Sequence, residues 1–170
     1  TDNTNTSQDH IELSVSGTED EFTIATIRNI ANKEKLVIAH TTAAGSAGVN
    51  NGNRFELVGK WANTSDQITR IQITNPYGGD LDTGSELVVL GCDDDEADSG
   101  TNFWQELGKG TTASDLNTGT ITAKKYLMVQ THVNMNSNAA VGLQFNTDSG
   151  ANYAARMAED FDSNQTYNPS

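Results

Sequence analysis

The sequence predicts an all-β protein, an antiparallel β-sandwich of jelly-roll-like type with about nine or ten short strands. Three observations lead there. Apolar and polar residues alternate with period two in one segment after another, which places successive side chains on opposite faces of a strand. Clusters of Gly, Asn, Asp, Ser and Thr separate these segments at the spacing of turns. No amphipathic stretch of helical length interrupts the pattern.

Residues 1–10 are polar and aperiodic at their start, an extended arm by composition. Ile11, Leu13 and Val15 then alternate with Glu12, Ser14 and Ser16 as a half-buried strand, and the stretch from Gly17 to Asp20 turns the chain. Phe22, Ile24 and Thr26 continue with the same period. Leu36 to His40 is a short continuous apolar run, expected in the sandwich interior, and the stretch from Ala43 to Asn53 reads as a loop. Phe55, Leu57, Gly59 and Trp61 share one side of the next strand. Ile68, Ile71 and Ile73 mark another, with a break in alternation at Arg70 that fits a bulge.

The stretch from Asn75 to Asp80 is a turn, since Pro76 cannot donate to a ladder and Gly78 and Gly79 accept any φ. Leu87 to Leu90 reads as a core strand that ends in the acidic loop from Cys92 to Gly100, and the stretch from Phe103 to Leu107 fits a strand or a helical turn, with strand preferred. Tyr126 to Val133 mixes aromatic and β-branched residues without a helical stripe. Leu143 and Phe145 lead into the turn formers from Asn146 to Gly150, and Asn152 to Met157 closes the hairpin. An isolated hairpin is marginal in water, so this stretch needs other strands to cover its apolar side. Residues 11–160 are thus one sandwich domain, followed by a polar tail over 161–170.

The chain has 170 residues, enough for a single core, of which 35% are hydrophobic. Its net charge of −13 repels a phosphate backbone and an anionic bilayer, so neither nucleic acid nor a membrane is expected as partner. Cys92 has no second cysteine to pair with, and three scattered histidines do not complete a zinc cage. No apolar run is long enough to span a bilayer as a helix. The start lacks the basic and apolar regions of a signal peptide, and a first residue other than Met points to processing or to a longer chain.

The stretches Asn32 to His40, Val58 to Ser65, Gly84 to Gly91, Thr122 to Leu127 and Phe145 to Tyr153 together resemble modules in predicted virion structural proteins of marine tailed phages. In that family the FN-D-G-NY hairpin falls near the middle of a module and the W-x-x-T-S and GSE-V-LG strands close it. Here the closing strands come first, as in one module read from a shifted start whose halves close within the chain or exchange between chains. The resemblance implies a non-enzymatic, self-assembling virion-surface protein, with other virion proteins and further copies of itself as partners, and it carries no catalytic residues.

Candidate sites follow from residue chemistry. Asp93, Asp95 and Asp98 concentrate hard oxygen ligands suited to Ca²⁺, with Asp80 and Asp82 as additions if the loops meet; the bland alternative is a solvated acidic loop. Ile11, Leu13 and Val15 are candidates for assembly by adding a strand to a neighbour's sheet edge. Tyr77 and Trp104 are candidates for contact with a partner or with glycans, whereas Trp61 and Tyr153, inside strand patterns, are expected in the core. No nucleophile and base stand out, so no enzyme is expected. The alternatives are an extracellular filament subunit that donates a strand, and a carbohydrate-binding or adhesin module.

Overall fold

The computed structural model of the chain describes residues 2–14, 20–44, 52–93, 103–111, 116–135 and 140–159. Within them lie twelve strands: β1 (Asp2–Gln8), β2 (Ile11–Glu12), β3 (Glu21–Arg28), β4 (Lys35–Ala44), β5 (Gly52–Trp61), β6 (Ile71–Thr74), β7 (Glu86–Cys92), β8 (Gln105–Thr111), β9 (Leu116–Asn117), β10 (Tyr126–Val133), β11 (Gly142–Phe145) and β12 (Tyr153–Glu159). They form an eight-stranded sheet in the order β1-β12-β5-β4-β3-β10-β7-β8 and a four-stranded sheet in the order β2-β11-β6-β9. Every pairing is antiparallel. The protein is an all-β sandwich of a large and a small sheet.

One continuous core fills the space between them. The large sheet contributes Ile27, Val37, Phe55, Leu57, Trp61, Leu87, Val89, Leu127, Val129 and Tyr153, and the small sheet Ile11, Ile71, Ile73, Leu116, Leu143 and Phe145. Ile11 packs directly over Gly59, where an added Cβ would lie 3.2 Å from the Ile11 Cδ1. The sheets also meet closely at β8 and β9, where a Cβ on Gly110 would stand 2.9 Å from the Asn117 amide nitrogen. Only glycine permits that contact.

Several local expectations change. The chain near the start is no free arm: β1 pairs with β12 from Asp2↔Ala158 to Gln8↔Tyr153 as the edge of the large sheet. Residues 43–44 and 52–53, expected in a loop, extend β4 and β5. The stretch from Phe103 begins as a bend, and its strand starts at Gln105. The break in alternation at Arg70 is no ladder bulge. Asn146 stands in for a strand there, its Oδ1 accepting from the Thr69 and Arg70 amides and its Nδ2 donating to the Gln67 carbonyl. Buried Asn29 does the same beside it, accepting from the Ile68 amide and donating to the Ile68 and Lys124 carbonyls.

The largest correction concerns faces. On β3 the period is two, but the buried set is Glu21, Thr23, Ala25 and Ile27, while Phe22, Ile24 and Thr26 point outward. Likewise β4 is interior on one face only, with Val37 and Ala39 buried and Leu36 and Ile38 in solvent. The inner face here is small because other groups occupy its space. The Thr41 hydroxyl, 3.0 Å from the Leu13 carbonyl, and its 2.8 Å partner Thr23 hold the β2 end of the chain against it.

Two isoleucines on one strand test this orientation. Ile27→Ala, a truncation in the closed core, should lower unfolding stability by about 2–5 kcal/mol in urea titrations, and Ile24→Ala by less than about 1 kcal/mol. Equal losses would contradict the orientation of β3.

Candidate functional site

The feature that the fold leaves without a structural role is the outer face of the eight-stranded sheet. Phe22 (46% exposed), Ile24 (39%), Leu36 (44%), Ile38 (57%) and Val58 (55%) project from β3, β4 and β5 into solvent. The registers make them neighbours. One row across the sheet reads Leu90, Met128, Thr26, Ile38, Val58 and Arg156; the next reads Val88, Gln130, Ile24, His40 and Glu56. Between β5 and β12 the face sinks into an open depression of about 320 Å³, walled by Leu36, Val58 and Arg156 and floored by Gly59 and Ala154. Scattered surface leucines or isoleucines need no explanation, but a contiguous set on one face marks an interaction surface.

Charge on this face differs from the rest of the molecule. Arg28, Arg54, Lys60, Lys109 and Arg156 lie on it, half of the chain's ten basic residues. Acidic partners sit among them: Lys60 contacts Glu34 at 3.0 Å, Arg54 contacts Glu56 at 3.8 Å and Lys109 contacts Glu86 at 3.8 Å. Exposed pairs of this kind stabilise little. Their effect is to leave the face near neutrality on a chain of net charge −13.

The outer face of the small sheet is different in kind. Gln144, Gln72 and Asn117 form one row across β11, β6 and β9. Beyond the end of β6, Tyr77 is 67% exposed and donates its hydroxyl to Glu12 at 3.1 Å. That carboxylate, desolvation and the hydrogen bond together raise the Tyr77 phenol above its ordinary pKa. Its turn is held by Asn75, which accepts from the Tyr77 amide and donates to the Gly78 carbonyl.

The residues nominated from the sequence are dispersed. Ile11 and Leu13, expected at an assembly edge, are fully buried in the chain's own core, with Ile11 paired to Leu143; an apolar pair closed inside the sandwich is not available to a neighbour. Val15 lies outside the described residues, as do Asp95 and Asp98. Asp93 is turned toward basic chain, accepting from the Lys125 amide at 2.6 Å and facing the Lys124 ammonium at 3.2 Å. Among the described residues no three His, Cys, Asp or Glu side chains gather as a metal site. Trp104 is half-buried and meets Phe103 edge-on at 6.2 Å ahead of β8, on the other sheet from Tyr77, so the two do not form one platform.

The stretch from Phe145 to Tyr153 is not the hairpin its turn residues suggest: β11 pairs with β2 and β6 in the small sheet and β12 with β1 and β5 in the large one, so the chain crosses between sheets here, and the residues of this crossing tie the two layers together. Trp61 and Tyr153 face each other across β5 and β12 and stack at 6.2 Å, and Phe145 of the small sheet lies 5.8 Å from the Trp61 ring. The Trp61 indole donates to Asp148 at 2.6 Å, and the Tyr153 hydroxyl accepts from the Phe145 amide and donates to the Asp148 carbonyl. Burial pulls the Asp148 carboxyl upward, but the bonds from Trp61, the Gly150 amide and Asn152 outweigh it, leaving the carboxyl below its ordinary value. Lys35 closes the other side, its ammonium held by the Lys33 and Asn63 carbonyls over the Trp61 ring. Desolvation lowers its pKa, and Asp66 opposes that in part.

No protein-family model, curated protein or solved structure matches this chain. The outer face of the large sheet escaped the sequence reading because Leu36 to Ala39 is apolar at both parities, which reads as a strand covered on both sides. The signal that separates the cases is the size of the alternate set: Thr23, Ala25 and Ala39 are small, while Phe22, Ile24 and Ile38 are large.

Asp148 and Tyr153 make the fold sensitive to both pH extremes. A depressed carboxyl contributes stability that is present above pH 3.8 and lost as pH falls through its folded value, so Asp148→Asn should flatten the acid limb of the stability profile. Burial raises the Tyr153 phenol, so its contribution is present below pH 10.0 and lost above it, and Tyr153→Phe should flatten the alkaline limb. Trp61→Phe, which removes the donor to Asp148, should lower stability by about 1–3 kcal/mol. Unchanged limbs in these variants would show that the hydrogen-bonded cluster does not control stability.

Proposed function

We propose that this chain is a non-enzymatic virion structural protein, a jelly-roll-like sandwich that assembles on the surface of a phage capsid or tail as a decoration or fibre-type component. The observation that carries the reading is the contiguous apolar outer face of the eight-stranded sheet, from Phe22 to Val58. A sheet buried on one face and exposing large apolar side chains on the other is suited to being covered from both sides, by its own small sheet within and by a neighbour without. The resemblance to marine tailed-phage modules supplies the virion as the setting. The acidic remainder of the surface suits a particle that must stay dispersed.

Strand donation to a neighbour is a weaker reading, because Ile11 and Leu13 are closed in the core and β1 pairs with β12 of the same chain. Glycan binding retains one favourable observation: the amide row Gln144, Gln72 and Asn117 shares the outside of the small sheet with Glu12, which holds exposed Tyr77. Planar amides and an aromatic ring are groups that recognise sugar hydroxyls and ring faces.

In a density-gradient preparation of phage that encodes this protein, the chain should band with the virions, and antibodies against it should label the particle surface. Recovery only in the soluble fraction would sink the reading. Ile24→Glu with Ile38→Glu should abolish attachment while circular dichroism shows the sheet intact. Loss of attachment through Tyr77→Ala or Gln72→Ala instead, with binding on a glycan array, would favour the adhesin.

A further inference from the structure

The occupant of the large outer face can be argued from its area, its relief and its charge. Strands in a sheet are about 4.8 Å apart and rise about 3.3 Å per residue, so eight strands of some seven residues present on the order of 800 Å². That is about what each partner contributes to a stable protein–protein interface. The face carries both a projection and a recess. Ile38 stands out from β4, and the depression floored by Gly59 and Ala154 lies next to it, between β5 and β12. A surface with both can be complementary to itself, since in a two-fold contact residue i meets j and j meets i.

Charge narrows the choice further. Two molecules of net charge −13 repel at a distance, and they can approach only where the local charge is neutralised. Among the described residues, the face on which Arg28, Arg54, Lys60, Lys109 and Arg156 lie among Glu34, Glu56, Glu86 and Glu106, with Lys60–Glu34, Arg54–Glu56 and Lys109–Glu86 in contact, meets that condition. We infer that this face is covered by a second copy of the same chain, packed sheet to sheet about a two-fold axis, with Ile38 of each copy seated in the depression between β5 and β12 of the other. The inference rests on reading the face as a docking surface and adds what docks there. Two sheets packed in this way lie about 10 Å apart with strands roughly 30° from parallel.

Sedimentation of the purified full chain tests it. The chain should be a dimer at about 100 μM, and Ile38→Glu should weaken dimerisation by about a hundredfold or more, as loss of a central anchor does. Added salt should tighten the dimer, because it screens the repulsion between two acidic molecules. As an independent readout, Ile38→Cys with Ala154→Cys should yield a disulfide-linked dimer on mild oxidation. Within one chain those positions are two strands and two residues out of register, on the order of 11 Å apart and beyond disulfide reach, so the bond can form only between copies. A monomer at all salt concentrations overturns the inference, as does a dimer that salt loosens or that neither Ile38→Glu nor the cysteine pair affects. If the chain is monomeric yet Ile38→Glu still abolishes virion attachment, the second-copy inference fails and the docking surface stands. If attachment is unaffected as well, both fail.

Discussion

The two sheets are locked together where the chain crosses from one to the other, by the contact of Trp61 and Tyr153 on the large sheet with Phe145 at the end of β11 and Asp148 in the crossing. Three aromatic rings bury a large apolar area in one place, and both of their polar handles are satisfied: the indole N–H by a carboxylate and the phenol by backbone. A hydrogen bond to an ionised acceptor in a partly desolvated site is stronger than a neutral one, and leaving either partner unpaired there is expensive. The crossing from β11 to β12 is thereby fixed in position as well as shape. Asn146, at its start with a φ of 52°, then reaches the Thr69–Arg70 backbone and sets the entry to β6.

From this coupling follows the asymmetry of the molecule. The small sheet is four strands wide and covers the inner face of an eight-stranded one. Where β2 passes across β4 and β5, the large sheet presents Thr41 and Gly59 inward, so that Leu13 and Ile11 can sit between the layers. The large residues of β3 and β4 are displaced to the other side. The outcome is a molecule with two unlike exteriors, an amide-rich one over the small sheet and an apolar, nearly neutral one over the large sheet. Among the described residues, this face offers an acidic chain a direction in which association is little opposed by its own charge.

Much of the architecture was legible in the residues. Period-two alternation located the strands around Phe55 and Leu143, the apolar run from Leu87 and the aromatic and β-branched run from Tyr126 located two more, and the turn chemistry of Asn75 to Gly79 and Asn146 to Gly150 marked the reversals. Trp61 and Tyr153 were rightly expected in the core. Less legible were segments whose structure comes from a distant side chain. Thr69 and Arg70 are kept in place by Asn146, more than seventy residues later, and no local pattern announces that. The two-residue strand β9 is too short to carry a period and exists because β6 offers it a ladder, while β2, announced by the alternation of Ile11 and Leu13, pairs with β11 over Ile11–Glu12.

The sequence alone determined the class of the protein: side chains that alternate in polarity, punctuated by residues that tolerate turns, form antiparallel strands in any context that covers one side of them. It determined the net charge as well. Only the tertiary structure decided which side is covered. For a strand such as β4, apolar at both parities, the alternation is equally compatible with either face inward, and the choice falls to the volume available between the sheets. There Ile11 and Leu13 already occupy the space, so Val37 and Ala39 go in and Leu36 and Ile38 remain outside.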